Sequence, residues 1–394
     1  MTKLSIRDLD LARKPVFLRV DFNVPLAEGR VSDDTRIRAS LPTIEYARQS
    51  GARLVLASHL GRPKGKRQPE MSLRPVAERL SELLHAPVAF AEDCIGEPAK
   101  KKSQALEAGG VLLLENLRFH PEEEANEQKF SRALAGHGEL YVNDAFGAAH
   151  RAHASTVGVT RFVKRAAAGL LMEKELTYLG KAIANPDHPY LAVLGGAKVS
   201  DKIEVITNLL KLVDVLILGG AMAYTFLRAQ GVPVGKSLLE PDKLELAQQL
   251  LAEAARRNVE LLLPQDHLVA ETIDPAAQPQ TVSRNDIPDH LMALDIGPRS
   301  RAAFLAAIGR ARTIVWNGPM GVFECPPFAE GTLVVARAIA DSAATSIVGG
   351  GDSIAALHQA EVASRITHIS TGGGASLEFL GGRKLPGVEA LTDK

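Results

Sequence analysis

The sequence predicts an α/β protein of two domains, each built on a parallel sheet. Three observations carry that reading. Strand and helix patterns alternate along the whole chain, as parallel sheets with helical crossovers require. At 394 residues the chain is too long for one ordinary core and suits two domains of similar size. The halves also end their strands differently, in cations in the first half and in glycine in the second.

The first strand segment, VFLRVDFNVP (16–25), alternates, with Val16, Leu18, Val20, Phe22 and Val24 on one face and Arg19, Asp21 and Asn23 on the other. A polar triplet is costly to bury. Asp21 and Asn23 are therefore expected to face a ligand, with Arg19 free to pair with a nearby acid. The segment leads to Arg36. RLVLASHLGRP (53–63) ends in His59 and Arg62, and LRPVAERLSELLH (73–85) reads as a helix. VLLLENLRFH (111–120) ends in Arg118 and His120. The acidic run Glu122–Glu124 suits a solvated helix start. LYVNDAFGAAHRAH (140–153) ends in His150, Arg151 and His153. Cations at strand ends, with few local carboxylates to pair them, predict an anion site. A zinc reading of His120, His150 and His153 is disfavoured, because HRAH lacks a nearby acid or cysteine and Arg151 would repel a cation.

The stretch 161–186 has helical periodicity and no strand, and it stops at Asn185-Pro186. It predicts a helix joining the domains, with the boundary near 160–188.

In the second half, four apolar strands run into glycine and then a helix: LAVLGGAKVSDK (191–202), VLILGGAMAYTF (215–226), TSIVGGGDSIAAL (345–357) and ITHISTGGGASLEFL (366–380). Bare N–H groups at a helix N-terminus favour an anion, and glycine allows close approach and positive φ. Four such turns predict one rim dedicated to a phosphorylated ligand. Lys198 and Lys202 sit four apart, as neighbours on a helix face would, in first turns where positive charge opposes the dipole. A local rule broken at a glycine turn marks a functional site; the alternative is two exposed lysines, one paired with Asp201 or Glu204. Asp352, after Gly349-Gly350-Gly351, could hold nucleotide-bound magnesium or serve as an N-cap. GVPVGKS (231–237) is not a P-loop, since its glycines enclose three residues and it follows the helical AMAYTFLRAQ. No GxGxxG follows a strand. DKLELAQQLLAEAARR (242–257) reads as a helix. WNGPMGVFE (316–324) ends a strand in a tight loop, with Trp316 a core residue.

Lys+Arg and Asp+Glu both number 46, so no broad basic face for nucleic acid is expected. The two cysteines, Cys94 and Cys325, are far apart, which disfavours a disulfide framework and makes a reducing cytoplasm the default. No signal peptide is visible, and no apolar run reaches the ~18 residues of a membrane span.

The chain resembles the phosphoglycerate kinase family through RVDFNVP (19–25), SHLGRP (58–63), LLENLRF (113–119), NDAFGAAHRAHAS (143–155), GGAKVSDKI (195–203), WNGPMGVFE (316–324), GGGDS (349–353) and STGGGASLE (370–378), in that family's order. The resemblance implies two doubly wound, Rossmann-like domains joined by a helix and hinge. Residues 1–170 with the tail 382–394 would hold 3-phosphoglycerate, 171–184 would be the interdomain helix, and 185–381 would hold Mg–ADP or Mg–ATP. It places the triose on Asp21, Asn23, Arg36, His59, Arg62, Arg118 and Arg151. It places the nucleotide on Lys198, Lys202, Gly219, Gly220, Asn317, Pro319, Glu324, Gly350, Gly351, Asp352 and Ser353. Glu324 would take the ribose hydroxyls and Asp352 the magnesium. Arg36, Lys198, Lys202 and the turn Gly372, Gly373, Gly374 would act on the transferred phosphoryl group. The implied enzyme is a phosphotransferase with a carboxyl acceptor, cytoplasmic and monomeric, without nucleic-acid or membrane partners. Its domains would close about hinges at the ends of helix 170–184 and near Gly381-Gly382. Another acyl-phosphate kinase or a non-catalytic nucleotide-binding module are the alternatives.

Overall fold

The structure is a computed structural model and describes residues 3–394. The chain forms two compact units. Unit 1 runs to Thr177 and regains Lys384–Lys394, and unit 2 is Tyr178–Arg383. The division falls inside the helix Leu170–Ala184.

Unit 1 is built on β1 (Pro15–Arg19), β2 (Arg53–Ala57), β3 (Val88–Ala91), β4 (Val111–Leu114), β5 (Leu140–Asn143) and β6 (Ala166–Ala168). All pairs are parallel, in the order β3-β4-β2-β1-β5-β6. β4 and β5 are buried along their whole length, because parallel sheets carry helices on both faces. Val16, Leu18, Leu54, Leu56 and Leu113 share a core with Ile37 and Ile44 of helix Thr35–Gln49 and Val76 and Leu80 of helix Arg74–Leu84. On the opposite face Phe17 packs against Tyr141 and His137. The C-terminal tail is tied in by Thr392 N–H to the Ala166 carbonyl (2.9 Å) and by buried Leu385, Val388 and Leu391.

Unit 2 has β7 (Tyr190–Leu194), β8 (Val215–Leu218), β9 (Glu260–Leu262), β10 (Asp266–Ala270), β11 (Gln280–Ser283), β12 (Met292–Ile296), β13 (Thr313–Asn317), β14 (Thr345–Gly349) and β15 (His368–Ser370). Six form a parallel sheet, β9-β8-β7-β13-β14-β15. The other three form an antiparallel sheet, β11-β10-β12, which the alternating pattern did not predict. Trp316 is fully buried in the core with Ile314 and Val348.

Both parallel sheets reverse their winding once. In unit 1 the chain builds outward from β1 through β2 and then restarts at β5 on the other side; in unit 2 it does so from β7 and restarts at β13. Ligands of such sheets bind beyond the strand C-termini at this switch point.

Two expectations need correction. The strand predicted over 16–25 ends at Arg19: Val20 N–H still reaches Ala57, but Phe22 N–H then turns to Ser58 Oγ (2.8 Å) and Asn23 N–H to Asp21 Oδ1 (3.3 Å). Side-chain acceptors replace the ladder there, while Val20, Phe22 and Val24 still enter the core. The 161–186 stretch does contain a strand, β6, ahead of helix Leu170–Ala184. Its three alanines carry no strand signal of their own, and pairing with β5 decides their conformation.

Candidate active site

At the switch point of unit 1, side chains from four loops meet around His59, which is 6% exposed. Arg36 donates to the Asn23 carbonyl (2.9 Å) and stands 3.6 Å from the Asp21 carboxylate. Asn23 Oδ1 accepts Gly61 N–H (2.9 Å), and Arg118 donates to the Gly61 carbonyl (2.8 Å). Arg151 Nε donates to His150 Nε2 (3.0 Å). Arg62 is exposed and has no hydrogen bond or ion pair among the described residues. Burial, then the guanidinium groups of Arg19, Arg118, Arg151 and Arg36, push His59 well below the ordinary histidine value. Burial and Arg118, Arg19 and Arg151 push His153 down to about 3. Arg118, lowered by burial to about 10, stays charged. The rim thus carries permanent guanidinium charge around neutral imidazoles, an arrangement that suits a multivalent anion.

Three rim expectations change. The run Glu122–Glu124 is not solvated throughout: Glu123 is completely buried and accepts from Ser155 N–H (3.0 Å) and Ser155 Oγ (2.6 Å). Among the described residues Arg19 makes no ion pair; its hydrogen-bond partners are Ser155, the Val20 carbonyl and His59. His120 pairs with Asp93 at 2.7 Å, and that bond raises its pKa. The ligand atoms of Asp93, Cys94 and His120 lie within 4.8 Å of one another, but burial holds the Cys94 thiol protonated.

At the switch point of unit 2, Lys202 precedes helix Ile203–Leu209 and is 8% exposed. Its Nζ donates to the Asn317 carbonyl (2.9 Å) and to Asn317 Oδ1. Asn317 Nδ2 donates to the Gly349 carbonyl (2.8 Å), and Gly318 N–H to Ser353 Oγ (2.6 Å). These bonds stitch together the ends of β13 and β14. Burial lowers Lys202 to about 8 against the pull of nearby Asp352 and Asp201. Beside it a cavity of about 350 Å³ is lined by Gly196, Gly220, Tyr224, Pro319, Glu324 and Asp352, among others. Exposed Leu238 and Ile273 also line it.

The glycine turns divide into two kinds. Gly196 N–H bonds the Pro319 carbonyl (3.1 Å) and Gly220 N–H the Met320 carbonyl (3.0 Å), so these N–H groups are not bare as expected. Here glycine permits close packing: a Cβ at Gly195 would lie 2.0 Å from the Pro319 oxygen. The open groups are at the other two turns. Gly350 (φ 95°) caps helix Gly351–Gln359, and Gly373 (φ 51°) caps helix Gly374–Leu380. The N–H groups of Gly350, Gly351, Gly373 and Gly374 have no acceptor among the described residues. Asp352 is therefore not the N-cap; it lies exposed in the first turn. Nor do Lys198 and Lys202 share a helix face. The helix begins only at Ile203, Lys198 is exposed in the preceding bend, and Glu204 pairs with Arg383 instead.

The phosphoglycerate kinase family profile matches residues 6–383. The chain belongs to the phosphoglycerate kinase family. It is 63% identical to the phosphoglycerate kinase of Koribacter versatilis and 62% to that of Acidobacterium capsulatum, with all of each chain covered. Among solved structures it resembles phosphoglycerate kinase from Coxiella burnetii, with a TM-score of 0.90, 42% identity and 98% of each chain covered. The Pyrococcus horikoshii enzyme gives 0.85, 37% identity and the same coverage. The activity is reversible phosphoryl transfer between 1,3-bisphosphoglycerate and ADP, giving 3-phosphoglycerate and ATP, a step of glycolysis. No helix among the described residues is long and apolar enough to cross a membrane.

Reading motifs missed residues beneath a phosphoglycerate kinase's rims. Glu123, Ser155 and Arg19 form a buried hydrogen-bonded chain in unit 1. In unit 2, Asp295 accepts Gly331 N–H (2.7 Å) and Arg301 (3.2 Å), and burial pushes its pKa up to about 7. No local pattern marks them, because their partners are distant in sequence.

Proposed function

We propose that the unit 1 rim binds 3-phosphoglycerate through Asp21, Asn23, Arg36, His59, Arg62, Arg118 and Arg151. Unit 2 would bind the nucleotide through Lys198, Lys202, Gly219, Gly220, Asn317, Pro319, Glu324 and Gly350–Ser353. The observation that carries this reading is the contrast between the rims: guanidinium groups around neutral histidines in one, a cavity beside a buried lysine and open N–H groups in the other.

The nucleophile in the ATP-using direction is a carboxylate, ionised at neutral pH, so no general base is required. What remains is to bring two polyanions together and to stabilise charge on the phosphoryl group, which positioning and electrostatics supply. Arg36, Lys198 and Lys202 would contribute cations, and the Gly372–Gly374 turn the open N–H groups of Gly373 and Gly374, its Gly372 N–H being taken by Ser370 Oγ (3.2 Å). The exposed Asp352 carboxylate, beside the open turn and near Lys202, is the oxygen donor that fits magnesium. Bound there with the nucleotide, magnesium would neutralise phosphate charge. In-line transfer needs the reacting atoms roughly 3–3.5 Å apart, so movement about hinges at the ends of helix Leu170–Ala184 and at Gly381-Gly382 is part of the proposal. Free, buried cysteines are in keeping with a cytoplasmic enzyme.

A coupled assay of ATP consumption tests the reading. Turnover with 3-phosphoglycerate and none with acetate is expected; comparable turnover with acetate would overturn the triose assignment.

A further inference from the structure

Every nitrogen of an arginine side chain is a donor and none can accept. That fact settles the state of His59. Arg19 is 1% exposed, and its Nη2 lies 3.1 Å from Nδ1 of His59. With a donor at that distance, Nδ1 must offer its lone pair, and the ring proton of a neutral imidazole then sits on Nε2. Nε2 has no partner among the described residues and is not among the enclosed, unpartnered atoms. It is the N–H left for a ligand.

Arg19 is itself held in one orientation. Its Nη1 donates to the Val20 carbonyl and its Nε to Ser155 Oγ (2.8 Å). Having accepted from Arg19, Ser155 Oγ donates to Glu123 Oε1 (2.6 Å), and Ser155 N–H donates to Glu123 Oε2 (3.0 Å). The Tyr141 hydroxyl fixes the same loop by donating to the Ser155 carbonyl (2.8 Å). The chain Glu123–Ser155–Arg19–His59 thus has one consistent set of donors and acceptors, and each member is at most 6% exposed.

We propose that Arg19 is a positioning residue that locks His59 as the neutral Nε2–H tautomer, held in place by Ser155 and Glu123, so that His59 donates to the anionic triose substrate without carrying charge. The donation rests on the triose assignment above; the lock does not. The other two states of the ring both place N–H against N–H at Nδ1. An imidazolium would also face Arg36, Arg118 and Arg151 from three further elements, while the carboxylates of this region are engaged elsewhere: Asp21 lies 3.6 Å from Arg36, Glu124 3.1 Å from Arg118, and Glu123 accepts from Ser155. A neutral donor suits a site whose substrate carboxylate must stay unprotonated to attack.

The test is two-bond ¹H–¹⁵N NMR on the full-length, histidine-labelled protein, with His59 assigned by its loss in His59→Gln. The expected spectrum shows His59 with bare Nδ1 and protonated Nε2, unchanged between about pH 5.5 and 8.5, a span that brackets the ordinary histidine pKa of about 6.5. A protonated Nδ1, or titration within that span, overturns the lock. In Arg19→Met, His59 should populate both tautomers and titrate. KM for 3-phosphoglycerate should rise by about tenfold or more, as for loss of a charge-assisted hydrogen bond, while KM for Mg–ADP holds. A tautomer still fixed in Arg19→Met overturns the role of Arg19. Should that variant fail to fold, the spectrum of the unaltered protein and of Ser155→Ala decides: Ser155→Ala should loosen the tautomer, and an unchanged His59 would contradict the relay. If the lock is found but 3-phosphoglycerate leaves the His59 signals unmoved, the donation fails with the triose assignment and the lock stands.

Discussion

Lys202 is a buried cation whose charge pH can remove. Burial lowers its pKa to about 8, so it is protonated below that value and progressively neutral above it. Nucleotide is an anion, so affinity for Mg–ADP should fall as pH rises through about 8. Arginine keeps its charge throughout, and Lys202→Arg should flatten that alkaline limb even if it weakens binding overall. Calorimetry across pH checks this; an identical limb in both proteins would assign it elsewhere. Asp352 gives a second residue-scale prediction. Because Gly350 supplies the cap, Asp352→Asn should cost little stability but raise the magnesium concentration for half-maximal activity by roughly tenfold or more, as expected for a lost carboxylate ligand. An unchanged magnesium titration would remove Asp352 from the metal site. The rim cations were legible in the sequence because His59, Arg62, Arg118 and Arg151 each lie in the segment that follows an apolar strand. Arg19 was not, because its partner Ser155 lies 136 residues away and a lone arginine on a strand face reads equally well as an ion pair.

At the scale of elements, the glycine turns show what local pattern can and cannot deliver. Four strand–glycine–helix segments announced the unit 2 rim, yet only two of the four leave their N–H groups open. Whether a glycine N–H is free depends on the loop packed against it, here Gly318–Met320, which lies far along the chain. Gly220 tests the packing role. It has φ 65°, and a Cβ there would fall 2.5 Å from Gly196 N and 2.7 Å from Gly196 O. Gly220→Ala should therefore cost on the order of 2–4 kcal/mol and weaken nucleotide binding. Gly309, in helix Pro298–Arg310 with nothing within 4 Å of its Cβ, is the control. There alanine should be neutral or stabilising by about 0.5–1 kcal/mol. Equal denaturation midpoints for the two variants would rule out a packing role for Gly220. Lys198 and Lys202 teach the same lesson: a spacing of four suggested one helix face, but the turn after β7 runs on to Lys202 before the helix begins.

For the whole molecule, length and alternation were enough to predict two parallel-sheet domains, because each βα unit carries its own periodicity. The antiparallel sheet β11-β10-β12 and the short β6 escaped, since strand direction and three alanines are decided by pairing partners. The proposed division of labour gives each unit one half of the chemistry: triose on the guanidinium rim of unit 1, nucleotide on the lysine and open turns of unit 2. Calorimetric titration of 3-phosphoglycerate and of Mg–ADP into full-length Arg118→Ala and Lys202→Ala tests it most directly. Arg118→Ala should weaken 3-phosphoglycerate binding by about tenfold or more, the scale of one lost charge-assisted contact, and bind Mg–ADP as before, with Lys202→Ala doing the reverse. Loss of both ligands in each folded variant, or of the opposite ligand in either, would contradict it.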